Sequence, residues 1–314
     1  MRLQFVMCGN HTDAFLSQAA MFRLMLDSYG GDHGRAQLVL CVGGPEEKLL
    51  PERWRKPFER IDVRWVSREA YRRDGDLAQS LLTYNAIDAT SDLAVICDAD
   101  TVLLRPLPGD FLEAMAHEPA LAGCIAHYQP PLTDNRVPAP PAIRSIDELW
   151  QRLSMNILGR EIPAPYRYTL RKRPEDVPGT CPFYINLGFL ASTPALLKSY
   201  GIAHSQVLPK VRAIIENDFY EQLAVPFAAE RAGLPTRVLP IRFNLPNDPI
   251  AERLYPEEAE SVVLLHYLRK NFFDRHSIFT SPENFARFIA MPLGGTNAAF
   301  QKKVRDITRD KYPF

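Results

Sequence analysis

Leu93-Ala94-Val95-Ile96-Cys97-Asp98-Ala99-Asp100-Thr101-Val102-Leu103-Leu104-Arg105-Pro106-Leu107 is the stretch from which the rest of the chain can be placed. Its five leading apolar or small residues, closed by an acidic turn, read as a buried strand whose carboxyl end delivers two carboxylates into a cleft. In open α/β sheets that end of the strands is where ligands bind. Asp98 and Asp100, one residue apart, are hard oxygen ligands suited to Mg²⁺ or Mn²⁺ holding a diphosphate. The alternative is a solvated turn that is acidic by chance; the strand context favours the metal.

At 314 residues the chain is long enough for one large α/β domain or two smaller ones, and 46% apolar residues supply an ample core. Its 37 basic and 37 acidic residues cancel, so no global field draws it to nucleic acid. The five cysteines (Cys8, Cys41, Cys97, Cys124 and Cys181) show no Cys-x-x-Cys spacing and read as small buried hydrophobes in a reducing compartment. No basic region followed by a long apolar segment opens the chain, and no run reaches membrane-spanning length. A cytoplasmic location is expected.

Upstream of the acidic turn, Leu3 to Cys8 reads as a first strand. Phe15, Ala19, Phe22, Leu26 and Tyr29 then mark one face of a helix closed by Gly30-Gly31. Leu38 to Val42 and Ile61 to Val66 read as the next strands, and Leu77, Leu81, Tyr84 and Ile87 as the helix leading into Leu93. This βαβ opening predicts an α/β fold with a mixed, mostly parallel sheet covered by helices. The turn after the first strand lacks Gly-x-Gly-x-x-Gly, which argues against a dinucleotide fold.

Downstream, Asp110 to Glu118 reads as a short helix and Leu121 to Ala126 as a strand. The segment Gln129 to Pro141, with Pro130, Pro131, Pro138, Pro140 and Pro141, reads as a loop insertion near the site or a plain surface excursion. Ile143 to Leu158 is helical in pattern. The following loop holds Arg167, Arg171, Lys172 and Arg173, either solvated or set to meet an anion. In Phe183 to Ser192 a buried strand is interrupted by Asn186 and Gly188, the mark of a bulge or of a ligand approaching backbone. One helix is expected over Ser205 to Ala232, with Asn217, Asp218, Glu221 and Gln222 clustered midway. Thr236 to Ile241 reads as a strand, Asn244 to Pro249 as a polar turn, and Ser261 to Leu265 as a buried strand with His266 at its end, a candidate third metal ligand. Short helices with a basic end (Lys302, Lys303, Arg305, Arg309, Lys311) complete the chain and raise the expectation of peripheral contact with an acidic inner-membrane surface.

The order Asp98-Ala99-Asp100, Asn186-Leu187-Gly188, Glu221-Gln222, Asn244 and Val262-Val263-Leu264-Leu265-His266 resembles the GT-A nucleotide-sugar glycosyltransferases, in particular the family of glycogenin and bacterial lipopolysaccharide galactosyltransferases. The resemblance implies one GT-A (Rossmann-like) domain over 1–314: a nucleotide-binding part at 1–128, an insertion at 129–182, an acceptor and metal-completing part at 183–280, and C-terminal helices at 281–314. It implies Mn²⁺ (or Mg²⁺) on Asp98, Asp100 and His266. Ala99 and Gly188 would border the bound donor, and Asn186, Glu221 and Gln222 would face its sugar. Cys8, Gly9, Asn10 and Thr12 would lie at the nucleoside. The donor would be a nucleoside diphosphate sugar, leaning to UDP, and the acceptor a saccharide or glycolipid. The family's histidine is often followed by glycine and Lys-Pro-Trp, whereas this chain continues Tyr267-Leu268-Arg269-Lys270-Asn271-Phe272, so Arg269 or Lys270 is expected as the phosphate cation.

Two other readings stay open at this level. Val95 to Leu104 also resembles the first motif of haloacid-dehalogenase-type phosphatases, in which the first aspartate is phosphorylated; about a hundred α/β residues precede it here and no Gly-Asp-x-x-x-Asp follows. A protein of the same fold that binds nucleotide sugars without turnover is the second.

Overall fold

The computed structural model describes residues 1–44, 49–132, 143–170, 179–215, 217 and 219–314. The strands in chain order are β1 (Leu3–Asn10), β2 (Gln37–Gly43), β3 (Ile61–Trp65), β4 (Leu93–Asp98), β5 (Thr101–Leu103), β6 (Leu121–Ile125), β7 (Tyr166–Arg167), β8 (Thr180–Cys181), β9 (Ile185–Ser192), β10 (Thr236–Val238), β11 (Leu245–Pro246) and β12 (Leu264–His266). Seven of them form one sheet in the order β10-β6-β9-β4-β1-β2-β3. All neighbours in it run parallel except β9, which is antiparallel to both β4 and β6. A mixed, mostly parallel sheet between helices is therefore what the sequence specifies.

Successive residues of β1, β2 and β4 point to two different cores, which explains why their sequences are unbroken apolar runs rather than alternating ones. Val6, Val39, Ala94 and Ile96 face one core, shared with helix Ile146–Leu158 and helices Pro194–Arg212 and Tyr220–Arg231. Phe5, Met7, Leu38, Leu40, Val95 and Cys97 face the other, closed by Leu16, Ala19, Phe22 and Leu26 of helix Asp13–Tyr29. The side chain of Thr12 caps that helix, accepting from Phe15 N. A third core, rich in Phe273, Phe279, Phe285, Phe288 and Phe300, packs the C-terminal helices Pro282–Ala290 and Gly295–Thr308 against a small second sheet.

That small sheet, in the order β11-β12-β5, is what positions the site. β5 continues directly from the acidic turn after β4, and β12 pairs antiparallel to it with His266 opposite Thr101.

The structure corrects several expected elements. The single helix over Ser205 to Ala232 is two: Pro194–Arg212, which starts earlier behind an extended Thr193, and Tyr220–Arg231. Between them the Asn217 side chain accepts from Phe219 N at 2.8 Å and donates to the Pro131 carbonyl at 2.9 Å, and this competition for backbone ends the helical run. The polar turn expected over Asn244 to Pro249 also holds β11 at Leu245–Pro246; Asn244 and Asn247 are fully buried, and Asp248 caps helix Pro249–Leu254. The late strand is displaced to Leu264–His266, which includes the histidine. At the basic C-terminus Lys302 pairs with Asp306, Arg305 pairs with Asp310, and Lys303 lies 3.9 Å over the Tyr29 ring. The two ion pairs offset two of the five basic side chains on which membrane contact is expected, while Lys303 keeps its charge over the ring. Pro138, Pro140, Pro141, Arg171, Lys172, Arg173 and Asp218 lie outside the described residues. All five cysteines are free thiols, four of them buried and Cys8 half-buried. No described helix is long and apolar enough to cross a membrane.

Candidate functional site

Because β1 and β4 are parallel and in register at Cys8 and Asp98, the carboxyl ends of both strands open on the same edge of the sheet. After Asp98 the chain turns sharply: Thr101 Oγ1 donates to the Asp98 carbonyl at 2.7 Å, and Tyr267 N donates to the Asp100 carbonyl at 3.0 Å. These bonds join the two sheets at one turn. His266, at the end of β12, is thereby brought against residues more than 160 positions earlier in the chain. Its Nε2 lies 3.1 Å from Asp100 Oδ1 and 3.5 Å from Asp98 Oδ2, and one ligand atom from each of the three residues falls within 4.8 Å of the others.

The charges of this trio are tightly linked. Asp98 stands at the cleft floor with 41% of its side chain still open, while protein encloses the rest. Burial raises its carboxyl above the usual range, partly offset by His266. At Asp100 burial works in the same direction, but the charge and hydrogen bond of His266 and the nearby Arg275 outweigh it and hold that carboxyl low. For His266 burial opposes the charged form, yet Asp100 and Asp98 prevail and raise its pKa. The pocket thus draws positive charge, and two carboxylates with one imidazole are a donor set that fits Mn²⁺ or Mg²⁺. The residues present fit a divalent ion.

Gly188 explains how the imidazole is seated. A Cβ there would lie 2.5 Å from His266 Nδ1 and 2.8 Å from Asn244 Oδ1, so β9 approaches the ring as only a residue without a side chain allows. Two residues before it, Asn186 Oδ1 accepts from Gly188 N and from Asn244 Nδ2, both at 2.9 Å. This fixes the orientation of the Asn186 amide at the cleft wall.

The cleft has a volume of about 510 Å³ and is lined by Cys8, Gly9, Asn10, Asp98, Ala99, Asp100, Asn186, Gln222 and His266 among the residues named from sequence. The other named residues fall elsewhere. Thr12 caps a helix; Gly188 lies behind His266. Glu221 accepts from Ser80 Oγ at 2.6 Å and lies outside the lining. Arg269 is committed to Asp248 at 2.8 Å and to Tyr128, on the wall of a neighbouring cavity of about 1080 Å³. Lys270 is exposed and lines neither space.

Sequence reasoning missed Arg275, His276, Gln18 and Gln79. Arg275 pairs with Asp100 Oδ2 and is the one lysine or arginine among the described residues lining the 510 Å³ cleft. Gln79 is buried and donates to the carbonyls of Gly9 (2.6 Å) and Cys41 (3.0 Å), locking the ends of β1 and β2. The signal for Arg275-His276 was a basic pair nine residues beyond His266, too far from the family's phosphate position to be read as such. Phe219 lines both cavities and marks where they meet.

A mixed sheet with its acidic turn at the β4 end, completed by a small second sheet bearing the histidine, is the GT-A fold. Among solved structures similar to it is the galactosyltransferase LgtC in complex with donor and acceptor sugar analogs: TM-score 0.51, 13% identity, 99% of this chain and 97% of that chain covered. The bifunctional glycosyltransferase WbbM gives a TM-score of 0.49 at 13% identity over 98% of this chain and 51% of that one. Mouse xyloside xylosyltransferase 1 gives 0.46 at 10% over 85% and 98%. At 13% identity the likeness to LgtC is one of fold. The sequence matches no protein-family model and no curated protein.

Proposed function

We propose that this protein is a metal-dependent hexosyltransferase that moves a sugar from a nucleoside diphosphate donor, a UDP-sugar, to an acceptor hydroxyl with retention of the anomeric configuration. The observation that carries this reading is the convergence of Asp98, Asp100 and His266 within 4.8 Å on the floor of a cleft at the carboxyl end of β1 and β4. LgtC, with which the chain shares its fold, has been solved with donor and acceptor sugar analogs, and this supports a donor of that class here.

A divalent ion, Mn²⁺ or Mg²⁺, bound to the trio would supply Lewis-acid neutralisation of charge on the leaving diphosphate. Cys8, Gly9 and Asn10 take the nucleoside end. The amides of Asn186 and Gln222, both lining the cleft, would hydrogen-bond donor hydroxyls, with Asn186 held by Asn244. Asp98 and Asp100 are the only carboxylates among the described lining residues, and both are assigned to metal. Glu221, turned to Ser80, is poorly placed to form a covalent glycosyl intermediate. Front-face attack therefore fits better: the acceptor hydroxyl bonds to the anomeric carbon as the diphosphate leaves, and its proton passes to a departing phosphate oxygen. The acceptor saccharide occupies the 1080 Å³ cavity beyond Phe219, where Phe219 and Phe272 offer partly exposed rings and Gln129, Asn271 and Arg269 offer polar contacts. The GT-A fold leaves the phosphatase alternative without its scaffold.

The test is thermal unfolding with UDP, GDP or CDP, with and without Mn²⁺. At a ligand concentration of about 100 Kd the stabilisation is about 2.7 kcal/mol, or a shift of roughly 5 °C. It is expected with UDP and Mn²⁺ together and is expected to vanish in Asp98→Asn and Asp100→Asn. The same shift in those variants would overturn the assignment. Donor hydrolysis with a panel of UDP-sugars separates an enzyme from a protein that only binds them.

A further inference from the structure

Arg275 sits where two anions compete for one cation. Its backbone is fixed: Gln18 Nε2, on helix Asp13–Tyr29, donates to the Arg275 carbonyl at 3.0 Å, and the flanking Phe273 and Ile278 are buried in the third core. Asp274 holds the same loop through its side chain to His276 N (3.0 Å) and its carbonyl to Ile278 N (3.2 Å). The side chain is less constrained, with 23% of it exposed to the cleft; Nε donates to His276 Nε2 at 3.2 Å and Nη1 to Asp100 Oδ2. Asp100 thus has His266 on one oxygen and Arg275 on the other. A divalent ion entering between Asp98 and Asp100 adds two positive charges beside that guanidinium, and the repulsion favours release of Arg275. Arg269 and Lys270, the cations expected for phosphate, are not in the cleft.

We propose, on the reading of the previous section, that Arg275 is an exchangeable cation shared between Asp100 and the donor diphosphate. Before metal binds it neutralises Asp100. Once metal takes Asp100, the guanidinium swings from its anchored backbone to the diphosphate, where its planar fork matches a phosphate's paired oxygens. It is a phosphate-binding residue that also sets the affinity of the empty site for metal.

This makes removal of one residue act in opposite directions on two ligands. Mn²⁺ binding to the full chain, followed by electron paramagnetic resonance of free Mn²⁺ without nucleotide, is expected to tighten about tenfold in Arg275→Gln, equal to about 1.4 kcal/mol. UDP binding at saturating Mn²⁺, followed by calorimetry, is expected to weaken about tenfold. Arg275→Lys keeps charge without the fork, so shifts of about threefold in the same two directions are expected; this variant decides the matter should Arg275→Gln not fold. Unchanged or weaker Mn²⁺ binding in the variants, or unchanged UDP binding, overturns the exchange. Asp98→Asn, run alongside, separates the two levels. If it abolishes Mn²⁺ binding while the Arg275 variants change nothing, the metal site stands and the exchange falls; if it leaves Mn²⁺ binding intact, the metal site falls and the exchange with it.

Discussion

Replacing Gly188 by alanine puts a methyl group 2.5 Å from His266 Nδ1 and 2.8 Å from both His266 Cε1 and Asn244 Oδ1. Ordinary van der Waals contact begins at 3.4 Å, so the imidazole would stand 0.9 Å too close. Gly188 is not among the residues of positive φ, so the cost is contact rather than backbone strain. Neither neighbour has room to yield, since His266 is 5% exposed, Asn244 is 0% exposed, and β12 is pinned to β5. The ring must turn or slide by about an ångström, which is large beside the roughly 0.2 Å tolerance of metal-ligand distances. Mn²⁺ affinity should therefore fall about 10- to 100-fold. The metal-free protein should lose about 1–3 kcal/mol of stability from overpacking. Mn²⁺ titration and urea unfolding in chelator read the two effects separately. A variant destabilised as expected but binding Mn²⁺ like the parent would remove His266 from the ligand set. One unchanged in both would refute the contact argument altogether.

Two further predictions concern the scaffold. His204 is fully buried between Tyr84 and Tyr200, its Nε2 3.1 Å from the Glu221 carbonyl, and burial lowers its pKa to about 4. The native state keeps it neutral while the unfolded chain protonates it near pH 6.5, so stability is present above that pH and declines as pH falls from about 6.5 toward 4, by up to about 3 kcal/mol. Urea unfolding at pH 7.5 and 4.5 should show a smaller loss in His204→Gln than in the parent, and an equal loss would contradict the assignment. At Gly201, on helix Pro194–Arg212, an added Cβ would lie 2.6 Å from Tyr84 Cβ. Gly201→Ala gains up to about 1 kcal/mol of helix propensity against an overpacking cost of about 1–3 kcal/mol, so urea unfolding should show net destabilisation; a more stable variant would mean that helix Pro194–Arg212 separates freely from helix Asp76–Asn85, which carries Tyr84.

The parts of the molecule legible in its sequence are those whose physics is local. β4 declared itself because both faces are covered, so its apolar run is continuous, and the carboxylates interrupt that run where the strand leaves the core. Gly188 and Asn186 stood out as non-apolar residues inside a buried strand, and the structure supplies the reason in the ring of His266. The helix over Ser205 to Ala232 merged two elements because helical periodicity runs through the break, which depends on Asn217 reaching Pro131 some 86 residues away. Arg269 was the obvious phosphate cation by position, but Asp248 and Tyr128 hold it in the neighbouring cavity. Arg275 carried only a basic pair with His276, too far beyond His266 to be read as the phosphate cation. Its place depends on how the loop beyond β12 docks on Gln18 of the first helix, a contact across 257 positions.

These differences divide the site into a rigid and an adjustable half. Asp98 and His266 end strands β4 and β12, Asp100 lies in the turn between β4 and β5, and bonds from the Thr101 hydroxyl and Tyr267 N close that turn onto β12, so their spacing is set by the two sheets before any ligand arrives. Preorganised ligands are what a divalent ion requires, because its bond lengths tolerate little error. The cation set against them has the opposite construction, with an anchored backbone, a long side chain and a partially open path. A diphosphate brings several negative charges into the cleft at once, and a guanidinium released by the metal meets them where sheet register supplies no fixed cation. On this construction metal and nucleotide bind cooperatively, and the coupling should shrink without Arg275, leaving the part that runs directly through the metal, while the coordinating trio stays intact.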